Sequence, residues 1–233
     1  MKETFTWWNM SDSPLVANLP VTVNMYTLRY PAYVPSEKEV LIQIGSIAGT
    51  CYTSSMKEDK CIARAFATIK NGHHSPWEHV LITTVSQVDR GVSHALVRHR
   101  HTAFQQQSTI YTRFKDKVPV ISMPSEDPFT GVAYPEPLPC IKDSVTKSVE
   151  SYMEATKNGV YPSEARDVLP TCLATDLVIT AGMREYMYMI QRRCGPGDSL
   201  RMHVWCYKLR RLLEEHYPRI TEAFDTWYTR HPL

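Results

Sequence analysis

Apolar residues recur along this chain with two different periods, and the switches between them mark out the elements. From Thr22 to Leu28 apolar and polar positions alternate, as in a half-buried strand. From Glu39 to Thr50 and from Asp59 to Lys70 the spacing changes to three and four, which predicts two helices broken near Tyr52, Thr53, Ser54 and Ser55. The run from Val80 to Val88 reads as a second strand. Gly91 then precedes a helix from Val92 to about Arg100, with Val92, Ala95, Leu96 and His99 along one side.

The stretch from Met123 to Pro139 carries five prolines and one glycine, which disfavours helix and inner strand alike and predicts a long surface loop. Beyond it, Ile141 to Thr156 is an amphipathic helix, and Ser163 is placed to cap a short one. Leu173 to Thr180 is a strand, and Arg184 to Arg193 a helix ended by the turn Gly195, Pro196, Gly197. Ser199 caps a final long helix to about His216. The sum is an α+β fold, an antiparallel sheet flanked by helices in one domain over residues 1–233, with helices dominating the second half.

Composition narrows the class of partner. With 233 residues, 43% of them hydrophobic and 21% charged, the chain can bury a substantial core. Its 26 basic and 24 acidic residues leave a net charge of +2, so no whole-molecule field favours nucleic acid or an anionic membrane, and any anion site is local. No apolar run approaches the roughly 18 to 20 residues that span a bilayer, and the first residues lack the order of a signal peptide. A cytoplasmic protein is expected. Six cysteines with no CxxC pair read as reduced, mostly buried thiols.

Three clusters carry candidate chemistry. Arg98, His99, Arg100 and His101 precede Phe104 and the polar run Gln105, Gln106, Gln107, Ser108, Thr109. Two guanidiniums two residues apart point to different sides of a helix, which suits gripping a pyrophosphate or two phosphates. A solvated basic helix end fits the same spacing. The second cluster, Gly72 to His79, is a turn loaded with His73, His74, Ser75, Glu78 and His79; its spacing matches no zinc motif, and no metal is expected. The third is Arg184 with Arg192 and Arg193, on or just after one helix, where surface arginines are the plainer reading. A non-catalytic nucleic-acid or metal-binding module is the alternative class, and the near-neutral charge argues against nucleic acid.

Arg98, His99 and Arg100, then seven residues, then Ser108, resemble the signature of the flavin-dependent thymidylate synthases (ThyX). Gly72 and His73 through Glu78 and His79 are similar to that family's upstream turn, and Ala165 and Arg166 with Val168, Leu169 and Pro170 to its downstream step. Arg184 and Arg193 fall where the family keeps arginines, and Glu222, Ala223 and Phe224 resemble its C-terminal end, so the likeness covers about residues 20 to 225. The resemblance implies a homotetramer with FAD and nucleotide sites between subunits. It implies transfer of a one-carbon unit from methylenetetrahydrofolate to carbon 5 of dUMP, with NADPH reducing the flavin and no cysteine nucleophile. It places His73, Ser75, Glu78, Arg98, His99, Arg100, Gln106, Arg184 and Tyr188 on the cofactor. The pyrimidine nucleotide monophosphate falls to Arg98, Gln106, Gln107, Ser108, Thr109, Arg166 and Arg193. Arg193, a fixed cation at the pyrimidine ring, is the expected catalytic group.

The pattern departs from the family on the nucleotide side, where Ala95, Gln106 and Ile110 stand for its glutamine, glutamate and arginine. Loss of the arginine removes a charge-assisted contact of about 1.5 to 3 kcal/mol unless another cation such as Arg113 replaces it. Gln106 deletes a negative charge and adds a donor. Gly182 and Tyr188 stand for two asparagines. These changes suit an altered specificity, toward UMP or another modified uridine nucleotide as the alternative to dUMP, with a non-catalytic flavin- or nucleotide-binding protein as the remaining reading.

Overall fold

Residues 5–25, 34–51 and 54–232 are described by the structure, a computed structural model. Its centre is a four-stranded antiparallel sheet ordered β3 (Thr22–Met25), β4 (Leu81–Asp89), β8 (Ala174–Gly182), β5 (Thr102–Gln106). The two long inner strands pair along their full lengths, from Leu81 opposite Gly182 to Asp89 opposite Ala174. Their alternation has the expected period of two, with Ile82, Thr84, Ser86 and Val88 of β4 and Thr175, Leu177, Ile179 and Ala181 of β8 buried.

Two N-terminal helices, α1 (Glu37–Thr50) and α2 (Glu58–Lys70), pack against each other. Ser36 and Glu39 close a capping box on α1, each side chain bonding to the other's backbone. The two helices are those expected; Tyr52 and Thr53, where their break was placed, lie outside the described residues, as do Tyr26, Thr27 and Leu28 of the first strand. Helices α6 (Met183–Arg193), α7 (Leu200–His216) and α8 (Pro218–Arg230) complete the main core, in which Trp205 and Leu209 of α7 are fully buried and Trp205 donates to Ser86 Oγ of β4 at 3.0 Å. Ser199 caps α7 as predicted, through Met202 N.

A second apolar cluster lies beside the first. There β2 (Val16–Leu19) pairs with β6 (Val118–Ile121), and α4 (Pro139–Lys157) contributes Val145, Val149 and Tyr152. This pair is parallel, an exception to the all-antiparallel expectation.

Several boundaries differ from the sequence reading. Asp89 accepts from Val92 N at 2.6 Å and so starts α3 at Arg90; the helix ends at Leu96, and Arg98, His99 and Arg100 lie on the turn that follows, not on a helix. Gln105 and Gln106, the start of the polar run, belong to β5, because Ile179 and its neighbours on β8 supply the main-chain partners. The proline-rich stretch opens with β7 (Met123–Pro124), paired with β1 (Trp7–Trp8). Short α5 (Pro162–Ala165) has Tyr161 at its cap without a side-chain bond, and Ser163 bonds to Glu164 instead. The chain also does not stop at α7: Pro218 sits in the first turn of α8, where its missing N–H costs nothing.

Candidate functional site

The end of α6 and the turn after α3 meet at His99. This histidine is buried, and Glu185, Tyr188 and Arg193 reach it from one side of α6. Arg193 Nε donates to His99 Nε2 at 3.1 Å, and the other ring nitrogen, Nδ1, is 3.0 Å from Glu185 Oε1. A guanidinium has no acceptor, so Nε2 accepts, Nδ1 carries the proton, and Glu185 receives it. Tyr188 meets the same ring edge-on, with centroids 5.8 Å apart. Arg193 is held at two further points, donating to Ala95 O at 2.7 Å and to Asp198 Oδ1 at 3.5 Å. The guanidinium is thereby oriented by α3, α6 and the Gly195 turn together.

Glu185 and Asp198 were not singled out in the sequence. Glu185 follows an arginine on a polar stretch of α6, and Asp198 reads as an ordinary turn residue; only folding shows that both serve Arg193 and His99. Ala95, read as a lost side-chain contact, contributes its carbonyl.

The Gly72 to His79 turn is built differently from its appearance in sequence. His74 is buried against Phe224 and Trp227 and makes a 3.2 Å contact from Nε2 to Ile69 O. Burial lowers its pKa, with the Ile69 bond opposing, so it is a core residue that stays neutral. His73 and Ser75, both exposed, line a cavity of about 540 Å³ with Arg64, Asn71 and His79. Glu78 closes the turn and pairs with Arg184 Nη1 at the start of α6. Gly182 makes this junction possible: a Cβ there would lie 2.8 Å from Trp77 O and 3.0 Å from Glu78 Cα. Among the described residues no group of three or more His, Cys, Asp or Glu side chains could hold a metal ion.

The remaining expected residues occupy three places: the turn after α3, the end of β5 with the loop that follows, and a 3-10 turn. Arg98 and Arg100 are exposed on the turn flanking His99. Gln106 turns inward at the end of β5, donating to Ser93 Oγ at 2.9 Å and Thr175 Oγ1 at 3.2 Å. Gln107 N then bonds Asp176 O, and Ser108 Oγ accepts from Ile110 N, while its own hydroxyl proton has no acceptor among the described residues. Thr109 is part-buried in the same loop, and Arg166 lies on the 3-10 turn Arg166–Val168. Ile110 is exposed. No helix among the described residues is long and apolar enough to cross a membrane.

Comparison with known proteins identifies the family. The family described as thymidylate synthase complementing protein matches residues 34–219. The flavin-dependent thymidylate synthase of Kosmotoga olearia is 26% identical over 186 residues, 76% of this chain and 80% of that protein. That of Halobacterium salinarum is 31% identical over 178 residues, 67% of this chain and 72% of the relative. A solved structure, the UMP/dUMP methylase PolB from Streptomyces cacaoi bound with 5-Br dUMP, superposes with a TM-score of 0.69 at 16% identity, over 91% of this chain and 97% of that one, which shows a shared fold. The chain therefore belongs to the thymidylate synthase complementing protein family and is an enzyme of the flavin-dependent thymidylate synthase kind.

Proposed function

We propose that this enzyme reductively methylates carbon 5 of uracil in dUMP, taking the one-carbon unit from methylenetetrahydrofolate and using FAD reduced by NADPH. The observation that carries the reading is the Glu185–His99–Arg193 chain, which presents an oriented guanidinium. Cys194, next in sequence, is part-buried at the end of α6 and caps it.

Uracil carbon 5 is a weak nucleophile, and it becomes stronger when negative charge on the ring is stabilised. Arg193 supplies that stabilisation. Its Nε and one proton on each terminal nitrogen are directed to protein acceptors, which leaves two N–H donors for a pyrimidine oxygen or nitrogen. Because the Nδ1–H of His99 donates to Glu185, Nε2 presents its lone pair to Arg193. The guanidinium pays no reorganisation when charge develops, the condition under which a fixed donor contributes about 3 to 4 kcal/mol.

The residues at the other side fit a flavin dinucleotide in their chemistry: His73, Ser75, Asn71 and Arg64 offer hydrogen-bond donors around a 540 Å³ cavity. The Glu78–Arg184 pair adds charge at the same turn, and Arg98 and Arg100 are exposed on the turn after α3. Bound there, the flavin supplies hydride equivalents. His73, Ser75, Glu78, Arg98, His99, Arg100, Gln106, Arg184 and Tyr188 are the residues proposed to hold it, with Gln106, Gln107, Ser108, Thr109, Arg98, Arg166 and Arg193 on the nucleotide. The sites complete themselves between subunits of a homotetramer.

One observation favours UMP as a second substrate. Gln106 is neutral and its amide is already engaged by Ser93 and Thr175, so no carboxylate stands at this position to bias the pocket against a ribose hydroxyl. Tritium release from carbon-5-labelled dUMP and UMP, with NADPH and methylenetetrahydrofolate, tests both readings. Release from dUMP with a yellow, flavin-bearing protein supports the proposal; a colourless protein inert to both nucleotides overturns it.

A further inference from the structure

Arg90 is the first residue of α3, and its backbone N–H is gripped by two carbonyls, Thr171 O and Leu173 O, each at 3.1 Å. Those carbonyls belong to the segment that leads from Arg166 back into β8. Arg166 itself donates through Nε to Ser163 O at 3.1 Å, which spends its inner nitrogen on the protein and leaves its two terminal nitrogens without a partner among the described residues. The Arg90 guanidinium also makes no hydrogen bond or ion pair among the described residues, although it is only part-exposed.

The charges around Arg90 are unusual. Burial lowers its pKa, and the neighbouring positive charge of Arg166 lowers it further, with no carboxylate opposing. The adjacent Asp89 is no counter-ion, since its carboxylate accepts from Val92 N and faces Arg201 Nη1 at 3.3 Å. A half-buried cation within electrostatic range of a second one is repelled by it, and this costs stability unless an anion lies between them.

The pair also stands at the right end of the sheet. Ser93 Oγ donates to Arg90 O at 3.1 Å and accepts from Gln106 Nε2, so the first turn of α3 is tied to the last residue of β5. Two residues later the chain reaches Ser108 and its hydroxyl. We propose that Arg90 joins Arg166 in a two-guanidinium clamp for the phosphate monoester of the pyrimidine nucleotide, an inference that rests on the function proposed above. Two guanidinium forks match a dianion with three equivalent oxygens better than a single cation does. Arg90 thereby supplies the charge that Ile110 does not.

Isothermal titration of the flavin-loaded enzyme with dUMP, UMP, deoxyuridine and inorganic phosphate tests this, on wild type, Arg90→Gln and Arg166→Gln. Arg90→Gln is expected to lose at least about tenfold in affinity for the nucleotides and for phosphate, with deoxyuridine affinity and flavin content unchanged. Its melting temperature without ligand is expected to match or exceed wild type, because the repulsion is relieved. Added phosphate is expected to raise the melting temperature of wild type more than that of the variant. Nucleotide affinity equal to wild type in Arg90→Gln overturns the clamp, as does loss of FAD in place of nucleotide, which assigns the anion to the cofactor. A wild type that binds phosphate through Arg90 but neither nucleotide leaves the clamp standing and overturns the proposed function.

Discussion

Arg193 donates to His99 across 3.1 Å, joining the last residue of α6 to the turn that follows α3. Neither residue is held by its own segment alone: Glu185 orients the imidazole, and Ala95 O with Asp198 orients the guanidinium. Removal of the guanidinium should therefore affect the reaction far more than the fold. Arg193→Ala is expected to lower kcat by about 10²- to 10³-fold, with an unchanged far-ultraviolet spectrum and flavin content. Single-turnover tritium release reads the rate, and normal turnover in a folded variant would sink the catalytic role.

Close approach at Gly182 makes a stability prediction. Its absent side chain lets the end of β8 lie against the 3-10 turn Ser75–Glu78, with backbone atoms where a Cβ would go. Backbone yields less readily than the far end of a side chain. Gly182→Ala is expected to destabilise by about 1 to 3 kcal/mol, seen in urea denaturation, and to loosen the Glu78–Arg184 pair. A melting curve identical to wild type would show that the turn moves freely.

His74 makes acid stability depend on pH. Its folded pKa lies below the ordinary value of 6.5, chiefly through burial, so above about pH 6.5 folded and unfolded chains both hold it neutral and it adds no slope. As pH falls below that value the unfolded chain takes up the proton first. Stability therefore declines between 6.5 and the lower folded pKa. His74→Gln should flatten this part of the profile while retaining a donor for Ile69 O, and urea midpoints at pH 7.5, 6 and 5 measure it.

Asp127 ties three donors to the loop before α4. It accepts from Phe129 N and Thr130 N, each at 2.9 Å, and from His203 Nδ1, while His203 Nε2 reaches Gly195 O at 3.1 Å. Burial raises its pKa, but these bonds outweigh that and hold the carboxyl below its usual range. The resulting stabilisation is present above the unfolded value near 3.8 and is lost as pH falls through the folded one. Asp127→Asn is expected to cost about 1 to 3 kcal/mol at neutral pH, with the deficit shrinking in acid. Because Gly195 precedes Asp198, a partner of Arg193, the variant should also show a slower methylation rate; an unaffected urea midpoint at pH 7 would count against the network.

The helices were legible because their apolar spacing is a local property: α1, α2, α4, α6 and α7 each show their buried face in consecutive residues. The inner strands β4 and β8 were legible for the same reason, and the chemistry-bearing residues from Arg98 to Ser108 stand in sequence. The polar residues of β5 carry no apolar alternation, and the strand exists because β8 offers it main-chain partners. Nor does spacing reveal that α3 ends at Leu96, which takes His99 off a helix and under α6, or that Arg90 comes to lie beside Arg166. The sequence by itself determined which residue types were available and where the regular elements run, since both follow from local periodicity and side-chain chemistry. Only the tertiary structure decided which charges meet, because Arg193 and His99 are 94 positions apart, and such contacts form through packing of whole elements that no local pattern encodes.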